Sequence, residues 1–473
     1  MRAVGEHTAH PLDRGAAELR GQLLAGELTV IELVEASLRR IDERDGALHS
    51  FLTVDRPGAL ARARELDREL ADGRPPGPLF GLPVSLKDLF ETKGLRTTSG
   101  SAALRDHVPT FDSGHAARLR QAGAVIVGKT NTPEFAIFIR TRNDLGPETV
   151  NPWHTGRSSG GSSGGAAASV AAGLTPLAVA SDGGGSTRVP AALCGLVGVQ
   201  PSHGVVPHTG GRVGTLLFSS AGPIARTVAD AALLLGVLAG PDERDPASLP
   251  SALADAAERL DGPVTGLRGT WVHRSGLFDA PAEILASCRA ALDRLDGLGI
   301  QVTASEGSLE SDRWSEGFYD MMMADRYATG WAEFYEDPTN RALLTDYARS
   351  HFERAALVTG AQYSRALDRR FHAIRRLDRL FEGADVLLTP TVGAIAPLIT
   401  DSPAPPAAAR LPFVAYTFIV NYTGFAAVTV PCGLVDGLPV GLQVIARPGA
   451  ELVALRVARA IESVVELPAP PLG

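Results

Sequence analysis

A lysine and two serine-bearing glycine clusters are the residues of this chain whose types and spacing could do chemistry. Lys87 stands in GLPVSLKDLFET, and the stretch from Arg157 to Val189 holds GGSSGG and DGGGS on either side of an Ala-rich segment. A serine hydroxyl becomes a nucleophile beside a base, and its transition state needs donors for the oxyanion. Histidine is the obvious base. However, His154, His203 and His208 stand in no pattern with an aspartate and a serine elbow, and GxSxG is absent as a strand–turn–helix elbow. A neutral lysine serves instead, because burial disfavours its charged form and lowers its pKa until the amine accepts a proton. Asp182-Gly183-Gly184-Gly185-Ser186 supplies consecutive backbone N–H groups, with no side chains on its glycines to block an approaching oxyanion.

These groups need elements to hold them. Leu82–Leu86 reads as an apolar strand that delivers Lys87 at its carboxyl end, where sites form in open α/β sheets. AAASVAAG reads as a buried helix closed by Gly173 in the C′ position, and LAVAS as a buried strand leading to Asp182. Gly and Ser at this density can also make a flexible linker, but a linker does not carry a packed helix and strand. Asp112 or Ser113 caps a helix that stops at Gly123, AVIVGKT is a buried strand, and Thr132-Pro133 opens another helix with Pro at its first position. This alternation, with near-continuous apolar strands, argues for an α/β fold. The expectation is a single large domain whose central mixed β-sheet is covered by helices on both faces.

The remaining chain frames that core. Thr29-Val30-Ile31-Glu32 is a capping box that opens an amphipathic helix, a charged helix covers Ala59–Ala71, and Asp72–Pro78 breaks the chain with turn residues. AGPIARTVADAALLLGVLAG reads as a turn and a long helix ending near Gly240. Residues 241–380 change texture, with a helix over Pro281–Leu295 and the strand TWVH. An aromatic and Met-rich stretch there holds Trp314, Phe318, Tyr319, Trp331, Phe334 and Tyr335. At helical spacing such a stripe is core; the other reading is an adaptable apolar pocket wall. Ser402–Pro412 reads as a Pro-rich surface loop. The end reads as two strands around an Asp436-Gly437 turn and a closing helix. The divisions are N-terminal helices over about 1–75, a catalytic core over 76–240, a variable pocket region over 241–410, and 411–473 completing the core.

Composition narrows the function classes. Hydrophobic residues make up 45% and charged ones 21% of 473 residues, an ordinary globular balance with enough chain for a large core. The net charge of −8 with no Lys/Arg-rich run gives no nucleic-acid footprint. MRAVGEHTAHPLDRG has no apolar signal core and no apolar run reaches membrane-spanning length, so the expectation is a cytoplasmic protein without a membrane partner. Cys194, Cys288 and Cys432 have no zinc spacing and read as buried reduced thiols.

Taken together, GLPVSLKDLF, NPWHTGRSSGGSSGGAAASVAAG, SDGGGSTRVPAALCGLVGVQPSHGVVP, GPIARTVADAA and PCGLVDGLPVGLQVI, in this order, resemble the amidase signature family of serine hydrolases. The likeness covers most of the chain and is weakest over 241–380. It implies a Ser–cis-Ser–Lys triad: the family's lysine falls on Lys87, the serine after a cis peptide on Ser162, and the nucleophile on Ser186. Gly183, Gly184, Gly185 and Ser186 then hold the oxyanion. Ser163 and Asp182 hydrogen-bond around the triad or cap a helix, and Arg188 pairs with a carboxylate. One departure is visible: the family commonly has Asp-Thr-Gly-Gly-Ser, and this chain has Gly183 at the second position.

The resemblance implies hydrolysis of a small-molecule amide by water through an acyl-enzyme. The aromatic and Met-rich stretch suggests apolar or aryl substrates, and the same chemistry serves esters and carbamates. No metal, nucleotide or other cofactor is implied, and a homodimer is common in the family. Two other classes stand beside this reading. One is the glutaminase subunit of a tRNA-dependent amidotransferase, which resembles this chain and works in a complex. The other is a non-catalytic binding protein on the same scaffold, against which the presence of all three triad residues argues.

Overall fold

The computed structural model describes residues 10–210, 217–400 and 407–472. The strands are β1 (Phe51–Val54), β2 (Pro83–Lys87), β3 (Val125–Thr130), β4 (Val150–Asn151), β5 (His154–Ser158), β6 (Leu177–Asp182), β7 (Val197–Gln200), β8 (Ser220–Ala225), β9 (Arg268–Trp271), β10 (Gln301–Ala304), β11 (Val386–Pro390), β12 (Ala426–Val435) and β13 (Leu438–Ala446). Eleven of them form one mixed sheet in the order β1-β3-β2-β6-β8-β7-β12-β13-β11-β9-β10, and β4 and β5 form a separate ribbon. Residues from both ends of the chain therefore share one α/β domain, as the alternation of elements implies.

The sheet is buried on both faces. Successive side chains of a strand point to opposite faces. Along β6, Leu177 and Val179 join the main core with Val34, Val228 and Leu455, whereas Ala178 and Ala180 join a second cluster with Ala166, Ala167 and Val170 of the helix Gly164–Ala171. Small residues on that second side let the Ala-rich helix lie close to the strands.

The parallel pair β2–β6 positions the lysine and the glycine loop singled out in the sequence. Val84 lies opposite Leu177 and Leu86 opposite Val179, so both strands end on the same edge of the sheet. Lys87 is the last residue of β2, and Asp182, the last of β6, opens the glycine loop. The helix between them ends as its sequence requires, with Gly173 just past the C-cap at φ 67°. Thr29 and Glu32 form the reciprocal capping box, and Asp436 and Gly437, at φ 52° and 73°, make the tight turn between β12 and β13.

Three local expectations are corrected. The residues before Val228 that read as a turn form β8, paired antiparallel with both β6 and β7. Gly222 and Pro223 suggest a turn locally, but sheet pairing overrides them, and pairing with β7 stops at Ile224, one residue short of Pro223. The helix expected after Thr132-Pro133 is a single 3-10 turn, Glu134–Ala136. There the Glu134 carboxylate is drawn to Ser101 and Thr345, and Phe135 and Ala136 take positive φ. Of the Pro-rich stretch, residues 402–406 lie outside the described residues, and a helix, Ala407–Val414, replaces the expected loop beyond them. Most of the N-terminal segment read for a signal core also lies outside them.

Candidate active site

Lys87 is fully buried, and its Nζ lies 2.7 Å from Ser162 Oγ, 2.8 Å from Ser163 Oγ and 3.0 Å from Ser181 Oγ. The peptide bond between Gly161 and Ser162 is cis. Ser163 Oγ donates to the Ser181 carbonyl, so it accepts from the amine, and the other two hydroxyls can donate or accept. Burial pushes the lysine pKa well below its ordinary value. The Asp182 carboxylate opposes that shift and the Arg326 guanidinium adds to it. A buried amine bonded to hydroxyls and to no carboxylate is set up to exchange protons with one of them.

The glycine loop sits against this cluster. Ser163 N–H donates to the Ser186 carbonyl at 3.2 Å, and Ser162, Gly183 and Ser186 line one narrow pocket. The loop owes its shape to Asp182. Its Oδ1 accepts Gly185 N–H at 2.5 Å and Gly184 N–H at 3.2 Å, and Oδ2 accepts Thr187 N–H at 3.2 Å. Arg188 closes the arrangement with Nε 2.9 Å from Oδ2 and Nη2 3.1 Å from Oδ1. Burial raises the Asp182 pKa, but the Arg188 charge and these donors outweigh it and hold the carboxyl at about 2. Arg188 therefore pairs with a carboxylate, as the resemblance implies, and Asp182 shapes the loop.

Comparison with known proteins places the chain in a family. The family profile described as Amidase matches residues 32–455. The chain belongs to the amidase signature family. It is 39% identical over 491 residues to the A subunit of glutamyl-tRNA(Gln) amidotransferase from Salinispora tropica, covering 96% of this chain and 98% of that one. It is 37% identical over 460 residues to an acylamidase of Rhodococcus erythropolis, covering 95% of each chain. Among solved structures, a bacterial aryl acylamidase of the amidase signature family superposes with a TM-score of 0.87 at 30% identity, over 95% of this chain and 96% of that one.

Within this amidase-family chain, the expected oxyanion donors divide into two pairs. Gly184 and Gly185 donate to Asp182, which corrects the expectation that all four amides face a substrate oxygen. The amides of Gly183 and Ser186 make no such bond to Asp182. The aromatic and Met-rich stretch is largely core. Trp314, Phe318 and Met321 join the main cluster, and Trp331 packs with Phe135, Tyr347 and Phe352 in a smaller one. Phe318 backs the loop so closely that a Cβ on Gly184 would stand 2.9 Å from its ring. The histidines stay out of the cluster, with His208 bonded to the Ser219 carbonyl and His154 accepting from Gly156 N–H.

Sequence reasoning missed several residues. Ser181 completes the ring around Lys87. From the last quarter of the chain, Asn421 donates to Asp182 Oδ1 at 3.0 Å, Gln443 accepts from Arg188 at 2.6 Å, and Thr417 donates to the Gly184 carbonyl at 2.8 Å. Arg326 lines the pocket with Leu89, Phe135 and Ala136. Ser181 had a local signal in its place at the end of the strand; the others stand in segments with no motif of their own. All three cysteines are buried free thiols, and Cys288 and Cys432 bring their sulfurs to 3.7 Å. Among the described residues no helix is long and apolar enough to cross a membrane, and no group of three or more His, Cys, Asp or Glu side chains could hold a metal.

Proposed function

We propose that the protein hydrolyses the C–N bond of carboxylic amides through an acyl-enzyme on Ser186. The observation that carries this reading is the buried Lys87 amine at hydrogen-bond distance from Ser162, in the pocket that Ser162 shares with Ser186. Neutral Lys87 takes a proton from Ser162 while Ser162 takes one from Ser186, and Ser186 Oγ attacks the carbonyl. The amides of Gly183 and Ser186 stabilise the oxyanion, and Asp182 and Arg188 hold the loop that carries them. Ser162 returns its proton to the leaving nitrogen, and water frees the acyl group. Leu89, Phe135 and Ala136 offer apolar surface to an alkyl or aryl part of the substrate, and esters and carbamates can follow the same path.

The test is a panel of anilides, primary amides, esters and carbamates offered to the purified chain, with Ser186→Ala and Lys87→Ala variants beside it. The wild type is expected to cleave members of the panel and both variants to lose the activity. Full activity in both variants overturns the assignment. A second reading, the glutaminase component of a tRNA-dependent amidotransferase, is favoured by the identity to the Salinispora tropica protein. Turnover of an anilide by the chain alone decides against it.

A further inference from the structure

We propose that a cavity at the end of the sheet opposite Lys87 is a binding site for a small carboxylate with an apolar body, an aryl or medium-chain acid. The site is independent of the hydrolase reading and shares no residue with the pocket of Ser162 and Ser186. β6 begins and β8 ends beside it, Leu177 opposite Ala225, whereas Lys87 and Asp182 stand at the far ends of their strands. Ser163 precedes the helix Gly164–Ala171, and Ala171 and Gly173, at the other end of that helix, line the cavity. Eight residues of helix separate the two places by about 12 Å. The cavity holds about 610 Å³, within the range of small-molecule sites.

Its charge is unbalanced. Arg40 and Arg44, one turn apart on the helix Val30–Leu48, and Arg226, just past β8, all line it. The two carboxylates in the wall are engaged: Asp13 pairs with Arg40 at 2.8 Å, and Glu462 pairs with Arg459 and accepts the Val228 N–H. Among the described residues, carboxylates reach Arg44 and Arg226 only through longer-range fields, from Asp13 and Glu43 in the first case and Asp230 in the second. Their hydrogen bonds go to main-chain carbonyls. Arg44 Nη1 donates to Ala172 at 3.0 Å and Leu472 at 3.2 Å, and Arg226 Nη2 to Leu12 at 2.9 Å and to Arg14. A carbonyl accepts a hydrogen bond but cancels no charge, so two guanidiniums share this cavity without a counter-ion.

Much of the remaining wall is apolar, with Trp153, Leu196 and Val430 on one side and Leu467 and Pro468 from the tail after the closing helix. Pro468 and Pro470 lack the N–H that a strand would use, and Arg44 ties the tail down through the Leu472 carbonyl. An inorganic anion would balance the guanidiniums and leave the apolar wall wet. A neutral apolar molecule would do the reverse. A carboxylate on an apolar body satisfies both.

Trp153 reports occupancy, since its ring lines the cavity and its Nε1 is fixed on the Cys194 carbonyl at 2.9 Å. The wild type is titrated with 4-nitrobenzoate, a quencher of tryptophan emission, and with its neutral counterpart 4-nitrobenzyl alcohol. Saturable quenching by the acid is expected at an affinity at least about tenfold above that of the alcohol, the scale of a hydrogen bond to a charged group. Arg44→Gln should weaken the acid by about tenfold, and Trp153→Phe should lose most of the quenching. Leu467→Glu should abolish binding, whereas Leu467→Lys, which disturbs the tail as much, should retain it. The absence of saturable quenching, equal affinity for acid and alcohol, or displacement of the acid by inorganic phosphate overturns the proposal. So does quenching that persists in Trp153→Phe, or equal loss in the two Leu467 variants. Should Arg44→Gln or Trp153→Phe not fold, the Leu467 pair, at a half-buried wall position, carries the same decision.

Discussion

The main-chain N–H of Ser163 donates to the carbonyl oxygen of Ser186 at 3.2 Å, so the two Ser/Gly turns are fastened backbone to backbone. Lys87 bonds to the first turn through Ser162 and Ser163, and Asp182 braces the second. In the proposed mechanism, proton transfer and carbonyl attack would both depend on this one junction.

Activity should rise with pH along its acid limb as Lys87 loses its proton, with a slope of one in log kcat/KM. Asp182, held at about 2, stays ionised throughout and adds nothing to that limb. Lys87→Arg, whose side chain keeps its proton, should lower kcat by about 10³-fold or more. A pH–rate profile of wild type and variant checks both points.

The same lysine should cost the fold stability near neutral pH. Its folded pKa is lowered, so between that value and the unfolded 10.5 the unfolded chain holds a proton that the folded chain lacks, and stability rises with pH. Lys87→Met removes this dependence. Its melting temperature relative to wild type should therefore be most favourable at pH 7 and should decline toward pH 9.5, by a differential of about 1.4 kcal/mol per pH unit inside the window. Thermal melts at both pH values measure it.

Asp182→Asn should destabilise the fold by about 3–5 kcal/mol, because it strands the Arg188 charge in a dry interior. The carboxylate's folded pKa lies below its unfolded 3.8, so the stability it gives is complete above 3.8 and fades as pH falls toward 2. The gap between wild type and variant in urea midpoints should accordingly narrow in acid. Pairing the change with Arg188→Met should cost less than the sum of the two single changes.

Gly185→Ala should lower activity by at least about 100-fold and stability by about 1–3 kcal/mol. Gly185 has φ 121°, and an added Cβ would stand 2.3 Å from Thr417 Oγ1. Kinetics and a melt of the purified variant suffice, and a wild-type profile would show that the loop tolerates displacement.

Thiol labelling of the native protein should be slow at all three cysteines. Cys194, Cys288 and Cys432 are buried, and burial pushes the Cys194 thiol pKa up. Three equivalents should react in denaturant; rapid native labelling would contradict the burial.

Much of the junction was legible in the sequence because it is local. Lys87 ends an apolar strand, and the serines sit in glycine turns that bound a helix and a strand. Sheet pairing was not local: β8 reads as a turn until β6 and β7 bond its two edges. Arg326 reads as an ordinary helix charge, since nothing within a few residues of it announces burial beside Gly183. Gly184 and Gly185 read as open amides because the turn of the Asp182 carboxylate back onto them depends on Arg188 and Asn421.

The glycine loop is clamped by Thr417, Asn421 and Gln443, more than two hundred residues downstream of the backbone they secure. A ribosome must therefore release nearly the whole polypeptide before the loop that carries the hydroxyl at 186 can be braced as it is in the fold. On the proposed function, fragments that stop short of the final strands would be inert, because the loop that carries the proposed nucleophile would lack its clamp.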